Sequence, residues 1–397
     1  MKMPKWIDSG SNRTLRLVWL TGLGFLALIV RILLFPYASL DFQTSFSPLY
    51  EFIASNPAGY VLANDPSSYT PIHTYFMLIA SRLFRSLPSL IVIKLIPTFF
   101  DFICAVLVYR LVKLIYPNDR NEFPLIPILG YVAVLFSPTI IMNSAFWGQV
   151  DIVYASGMLA CIYFLIIKKE VPAFIAFGFA VSFKLQAIFL FPLLLVLLVK
   201  KYVHWKSFLL IPLMYLLSIL PSWLGGRSGA TLFSVYLSQS HVFNRLSMNA
   251  PNLYQWISDQ YYEIFYPAGI ALTLGAIAVV VLIGNNKMDV GKRTIMLTAL
   301  VSCVLIPFIL PKMHDRYFFP ADIISIVYAF YNPRYYYVPI AIGMISFFSY
   351  GPALFGSAQI PLQFLAIGMG IILVILIREY LVTSIPHDTI PVDGINI

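Results

Sequence analysis

Four ionisable side chains crowd one short connector, Pro311-Lys312-Met313-His314-Asp315-Arg316-Tyr317-Phe318-Phe319-Pro320, between the apolar runs Ile295–Leu310 and Ala321–Tyr331. Arg316 brings a planar fork of donors and Lys312 a point charge, both suited to a phosphate. His314 can donate to a phosphate oxygen, and Asp315 can orient the cations. The plainer reading is a solvated turn in which Asp315 and Arg316 neutralise each other, since surface pairs are common and weak. Further polar clusters interrupt apolar runs elsewhere. Asp41, in Ser39-Leu40-Asp41-Phe42, is either a capping acid at a helix start or a carboxylate placed to take a proton from a hydroxyl. Trp147-Gly148-Gln149-Val150-Asp151 opens another run. Asp151 there is a second acid with Gln149 as its hydrogen-bonding neighbour, or simply an acid favoured by a helix dipole beside an interfacial Trp147. Lys184 and Gln186 sit in Lys184-Leu185-Gln186 between two short runs. A lysine at membrane depth costs several kcal/mol unless it is paired or snorkels, so a phosphate or an acid such as Asp151 is its expected partner. Tyr69-Thr70-Pro71 follows Asp65, and Asn249-Ala250-Pro251-Asn252 completes the set. Lys94 and Asp101, seven apart in one run, are expected to pack the interior or to pair through neighbours.

The elements that position these groups follow from composition. The 397 residues are 60% hydrophobic and 11% charged, with a mean hydropathy of +0.84. A soluble domain is about 45–50% apolar and about 25% charged, so this excess has no soluble core to hide in. The apolar runs are continuous rather than alternating, which selects helices over a barrel. The expected class is an all-α polytopic membrane protein. The net charge of +9 comes from basic residues at the ends of apolar runs, the mark of membrane topology rather than of nucleic-acid binding. Cys104, Cys161 and Cys303 lie within apolar runs and read as small packing residues, not a disulfide framework. The first apolar run is long and lacks a small-residue cleavage site before Asp41, so it reads as a retained span.

About twelve spans are expected by the criterion of ~20 apolar residues, relaxed for shielded helices. They are Leu15–Pro36, Ser89–Leu114, Phe123–Met142, Ile152–Ile167, Ala173–Phe183, Ala187–Val199, Phe208–Trp223, Phe265–Ile283, Ile295–Leu310, Ala321–Tyr331, Tyr336–Gly351 and Pro361–Ile377. Pro71–Leu87 is apolar but short. If it crosses, most basic residues fall outside. If it lies along the surface, Arg110, Lys113, Arg120, Lys168, Lys169, Lys200, Lys201, Lys206, Lys287, Lys292, Arg293, Arg334 and Arg378 all become cytoplasmic, and the positive-inside bias selects this solution. The N-terminus, with Lys2, Lys5, Arg13 and Arg16, is then cytoplasmic. Residues 37–88 and 225–264 are large external loops, and 382–397 is a cytoplasmic tail. No internal repeat and no separate soluble domain is visible, so 1–397 reads as one integral-membrane domain. This topology gathers Asp41, Asp65, Tyr69, the Trp147–Asp151 motif, Lys184, Gln186, Asn252 and the 311–320 connector on one external face, the pattern of a site.

In this order, the early external Asp41, Tyr69-Thr70-Pro71, Trp147-Gly148-Gln149-Val150-Asp151, Lys184-Leu185-Gln186 and Lys312-Met313-His314-Asp315-Arg316-Tyr317-Phe318 resemble bacterial multi-spanning mannosyltransferase-like proteins. These are relatives of the glycosylphosphatidylinositol second mannosyltransferase in the GT-C glycosyltransferase superfamily, and the resemblance covers nearly the whole chain. It implies a GT-C-type fold with juxtamembrane helices in the first external loop, in a bacterial inner (plasma) membrane. It also implies a polyprenyl-phosphate sugar as donor, a glycan, lipid or protein as acceptor, and transfer of a hexose such as mannose with inversion. Asp41 matches the superfamily's essential acid of the first external loop, and Asp151 matches a later acid less closely. The early motif here is a lone acid rather than a pair, so a divalent cation is left open; Asp41, Glu51, Asp65 and Asp151 are candidate oxygen donors, but no spacing among them demands one. Two other classes stay in view. A flippase or transporter of a lipid-linked sugar would carry inverted repeats and midplane breaks; a lipid-linked glycan polymerase or ligase would move a whole glycan.

Overall fold

The computed structural model describes residues 9–117, 124–240, 244–285 and 289–383. Lys2, Lys5, Arg120, Lys287 and the expected tail beyond residue 383, on which part of the topology argument rests, lie outside the described residues.

The chain is helical almost throughout. Helix α1 (Ser9–Leu34) leads into a loop that carries a π-turn (Phe42–Phe46) and three short helices, α2 (Ser47–Ser55), α3 (Ala58–Asn64) and α4 (Pro71–Leu83). Then come α5 (Ser89–Lys113), α6 (Leu125–Leu135), α7 (Pro138–Ile141), α8 (Asp151–Ile166), α9 (Glu170–Phe183), α10 (Phe191–Val199) and α11 (Leu210–Leu224). A second loop holds α12 (Gly229–Ser240) and the two-residue strand β1 (Ser247–Met248). The remainder is α13 (Tyr262–Asn285), α14 (Lys292–Ile309), strand β2 (Met313–His314), α15 (Phe319–Tyr331), α16 (Tyr337–Ser349), α17 (Gly351–Phe355) and α18 (Leu362–Thr383). Proline sets several of the starts: α2, α4, α7, α10, α15 and α17 each carry one in their first two positions, where the missing N–H has no partner to lose.

Burial sorts the helices into layers. Nearly every residue of α8 and α14 is buried, as is most of α15, and these three pack on one another at the centre. The middle layer is α5, α6, α9, α10, α16 and α18. At the periphery α1, α11 and α13 turn large apolar side chains outward, among them Leu33, Leu224 and Leu282. An apolar shell of this extent suits lipid, not water.

Among the described residues seven helices are long and apolar enough to cross a membrane, or eight if Leu125–Leu135 and Pro138–Trp147, bent by 43°, form one broken span. The expected spans at 152–167, 173–183, 187–199 and 321–331 fall on shorter apolar helices packed inside the bundle. The short helices expected in the first loop are present as α2–α4. Lys94, on the second turn of α5, donates to the carbonyls of Phe35 (3.0 Å) and Tyr37 (2.6 Å) just beyond α1. Thr70 donates to the carbonyl of Phe183 at 3.1 Å, beside Lys184. The loop 37–88 therefore leaves and re-enters the bundle at the same end.

Candidate active site

The site grows from a deliberate break between α7 and α8. After α7 the helix widens into a π-turn, Met142–Trp147, and stops at Gly148, whose φ of +83° is left-handed. Glycine adopts this conformation without the steric cost a Cβ brings. The wrap is closed by Gln149 N donating to Asn143 O at 2.8 Å. Its effect is to turn Trp147, Gln149 and Asp151 into one space.

Buried charge holds this turn from below. Asp101 of α5 pairs with Arg31 of α1 at 2.7 Å and accepts from Ser144 of the π-turn at 2.6 Å. Lys94 donates to Phe146 O at 2.9 Å and to the carbonyls at the end of α1, where a helix terminus favours a cation. Lys94 and Asp101 thus do separate jobs, and the partner of Asp101 is Arg31. The sequence shows Arg31 as one charge in the first span, a signal in itself.

Trp147 is fixed on every side. Its carbonyl accepts from Ser39 Oγ at 2.9 Å, and Tyr350 packs edge-on against its ring, centroids 5.4 Å apart. Its indole Nε1 donates to Asp41 Oδ2 at 2.9 Å, and Gln149 Nε2 donates to the same oxygen at 2.6 Å. The other oxygen of Asp41 accepts no hydrogen bond among the described residues, and Asp41 lines a cavity of about 370 Å³.

The second acid is built differently. Asp151 is fully buried; one oxygen is paired with Lys184 and the other accepts from Asn143 Nδ2 at 2.9 Å. Arg316 Nε lies 3.3 Å from that second oxygen, close enough for an ion pair but not aligned as a hydrogen bond. The guanidinium sits 5.1 Å above the Trp147 ring and 3.6 Å from Asp315. Among the described residues it makes no hydrogen bond, so its fork of donors is held in place but unspent.

The connector is shaped by strand pairing. β2 pairs in parallel with β1, and Asp315 N donates to Met248 O at 3.0 Å. Asn249 and Lys312, at φ of 63° and 65°, are left-handed non-glycine residues beside this pair, the kind of backbone strain that gathers at functional sites. Burial pushes the Asp315 carboxyl up to about 7, against the pull of Arg316. Burial and then the charges of Arg316 and Lys184 push His314 down to about 3, so it is a neutral imidazole at physiological pH. Burial raises the Tyr69 hydroxyl to about 12, so it stays protonated; the charges of Arg316, Asp151 and Asp41 also act on it.

Of the residues singled out from sequence, the structure places Asp41, Trp147, His314, Asp315 and Arg316 on the cavity wall. Gln149, Asp151 and Lys184 bond directly to that wall or its ion pairs, and Tyr69 lies within reach of their charges. Gln186 is one layer behind it, hydrogen-bonded to Tyr317, whose ring packs against His314 of the wall with centroids 5.1 Å apart. Two are elsewhere. The Lys312 ammonium rests 5.1 Å from the rings of Tyr262 and Tyr266, and Asn252 is a buried cap that accepts from Tyr254 N. Asp65 is likewise structural, bonded to Arg227 at 2.9 Å and Thr74 at 2.7 Å. Arg245 lines the cavity and was not singled out: one basic residue in a polar loop carries no contrast.

Among the described residues no three His, Cys, Asp or Glu side chains converge as a metal site. The donor set agrees, because Asp151 and Asp315 are already matched with cations and Asp41 has one oxygen to spare. A divalent cation does not fit these side chains alone. In comparisons with known proteins, no family model matches the chain and no curated protein is similar to it.

Proposed function

We propose that this chain is a glycosyltransferase of the GT-C type that moves one sugar, a hexose such as mannose, from a polyprenyl-phosphate donor to an acceptor hydroxyl. The observation that carries the reading is one cavity with an available carboxylate oxygen of Asp41 on one wall and the unspent guanidinium of Arg316 on another, with Arg245 beside it. A base and a phosphate clamp across one space are what displacement of a phosphate from an anomeric carbon requires.

The acceptor hydroxyl attacks the anomeric carbon while its proton passes to Asp41. The bond from that carbon to the phosphate oxygen breaks, and its electron pair leaves with the polyprenyl phosphate. Arg316 meets the charge that grows there. Attack opposite the leaving group inverts the anomeric centre. Asp151 serves as the buried anion that aims Lys184 and Arg316, a positioning role rather than a second base. Trp147 and Gln149 aim Asp41, leaving its free oxygen toward the acceptor.

The proposed topology has about twelve crossings, counting the short interior helices whose neighbours shield them. The N-terminus is cytoplasmic and the cavity faces outward, in a bacterial inner membrane, where a lipid-borne donor rather than a nucleotide sugar is at hand. The acceptor is a glycan, lipid or protein hydroxyl.

The test is sugar transfer by purified protein with a series of polyprenyl-phosphate sugars, comparing the unmodified chain with Asp41→Asn. Release of polyprenyl phosphate by the former and its loss in the latter are expected. Full activity in Asp41→Asn, or movement of the intact lipid-linked sugar across a vesicle membrane with no bond broken, would sink the reading, the second outcome in favour of a flippase.

A further inference from the structure

A second concavity, of about 740 Å³, lies between α1, α5 and α6. Its walls are apolar: Leu17 and Leu28 on α1, Val106 on α5. It exists because α1 packs loosely, only 17% of its most apolar stretch being buried. Gly24 keeps the two helices close at one point, since a Cβ there would lie 2.8 Å from the Tyr131 hydroxyl.

One end of this groove is basic. Arg16, Arg110 and Lys113 all line it, and none has an acidic partner among the described residues. Three cations on one lining, with no counter-charge among the described residues, repel one another and gain from a shared anion. The Tyr109 hydroxyl, also on the lining, is buried and makes no hydrogen bond among the described residues, which leaves a polar group waiting for an acceptor.

The dimensions identify the occupant. From Leu17 to Leu28 the groove runs about 16 Å at 1.5 Å per residue, close to one leaflet of a hydrocarbon core about 30 Å thick. The basic end lies about 27 Å along α1 from Leu34, at the opposite end of the bundle from Asp41. Basic residues near a bilayer surface attract anionic headgroups. Ordinary interfacial cations stand apart on helix ends; these three frame the mouth of an apolar channel one leaflet deep.

We infer that this groove is a binding site for an anionic phospholipid, with its phosphate on Arg16, Arg110 and Lys113 and one acyl chain between α1 and α5. It is remote from the candidate active site and does not depend on what that site does.

Native mass spectrometry of the full chain, released from mixed micelles of phosphatidylglycerol and phosphatidylcholine, tests it. One phosphatidylglycerol should remain bound, preferred at least tenfold over phosphatidylcholine. Joint replacement R16Q, R110Q and K113Q should abolish the preference. V106W, at a position open to lipid, should fill the channel and lose the bound lipid while melting like the unmodified protein. Because V106W leaves the cations intact, it separates a seated chain from headgroup attraction alone, and it decides the matter if the triple variant does not fold. Equal retention of the two lipids, unchanged retention in V106W, or a dimer that V106W dissociates would each overturn the site, the last by assigning the groove to a second copy of the chain.

Discussion

Trp147 Nε1 and Asp41 Oδ2 lie 2.9 Å apart across 106 residues of sequence, joining the break before α8 to the turn after α1. The bond fixes which carboxylate oxygen faces the cavity. Hydrogen bonds to a charged group are worth about 1.5–3 kcal/mol, so Trp147→Phe, which keeps an aromatic ring of smaller size and deletes the donor, should lower kcat/KM by about ten- to a hundredfold. Melting temperature should fall as well, because the smaller ring leaves part of a buried space empty, so activity is compared per folded protein. A variant as active as the parent would mean that Gln149 alone aims the acid.

What sequence made visible here is contrast. Asp41, Trp147, Asp151, Lys184 and Arg316 stand out because polar groups in oil need partners, and the structure brings those partners together. Arg245 has no such contrast in a polar loop. Lys312 and Arg316 look equivalent in sequence, yet they flank β2 on opposite sides, and one falls onto two tyrosine rings and the other over Trp147. Asn252 shows the same limit, since a buried cap and a ligand contact use the same side chain. The span count is ambiguous for a physical reason: α9 has 14 residues and α15 has 13, lengths that suit both a shielded crossing and a buried core helix.

The Asp151–Lys184 pair is buried at its acidic partner and 12% exposed at its basic one. Lys184→Met leaves Asp151 with only the poorly aligned Arg316 and the amide of Asn143. Breaking one side of such a pair costs about 3–5 kcal/mol, which should appear as a marked drop in melting temperature. Replacing both, as Asp151→Asn with Lys184→Met, should recover most of that stability. Activity should stay low, because Arg316 loses its anchor. If the double variant melts as low as the sum of the single losses, the two residues act independently.

Gly148 tests the backbone rather than a side chain. An added Cβ would meet only Lys94 at 3.6 Å, an ordinary contact, so space is not the obstacle. The left-handed φ is, at about 1–2 kcal/mol for an L-residue. Gly148→Ala should therefore fold, melt a few degrees lower, and lose activity out of proportion, because the turn aims Trp147 and Gln149 together. A loss of activity no greater than the loss of folded protein would count against that coupling.

Asp315 gives a pH dependence with a definite sign. Its carboxyl is raised by burial to about 7, above the ordinary value near 4. The folded protein therefore holds this proton more tightly than the unfolded chain does. Stability from this group is fully present below about pH 4 and is lost as pH rises toward and through about 7. Relative to the parent, Asp315→Asn should gain melting temperature steadily as pH rises across that window and melt higher at pH 8. His314 acts with the opposite sign: burial lowers it to about 3 while the unfolded chain takes up its proton near 6.5, so its contribution is present above about 6.5 and lost as pH falls toward 3, and His314→Gln should make melting temperature fall more steeply as pH rises from about 4 to 6.5. A His314→Gln curve that is flat between pH 4 and 7 would refute the assignment to Asp315.

Arg316 and Lys312 make the sharpest contrast at the connector. The two differ by one turn of chain, but the Arg316 guanidinium borders the cavity with its donors unspent, whereas the Lys312 ammonium rests on Tyr262 and Tyr266. Arg316→Gln removes the charge and the fork, and should cost about a hundredfold or more in kcat/KM, on the scale of losing a single charge-stabilising group. Arg316→Lys restores a charge but not the planar pair of donors, and should recover only part of the loss. Lys312→Gln should stay within a fewfold of the parent. Assay at rising concentrations of the lipid donor separates the two roles: Arg316→Gln should fail in kcat even at saturation, because the charge it meets grows as the phosphate leaves. A defect in Arg316→Gln confined to KM would make Arg316 a ground-state binder of the donor and would move the clamp for the leaving phosphate to Arg245.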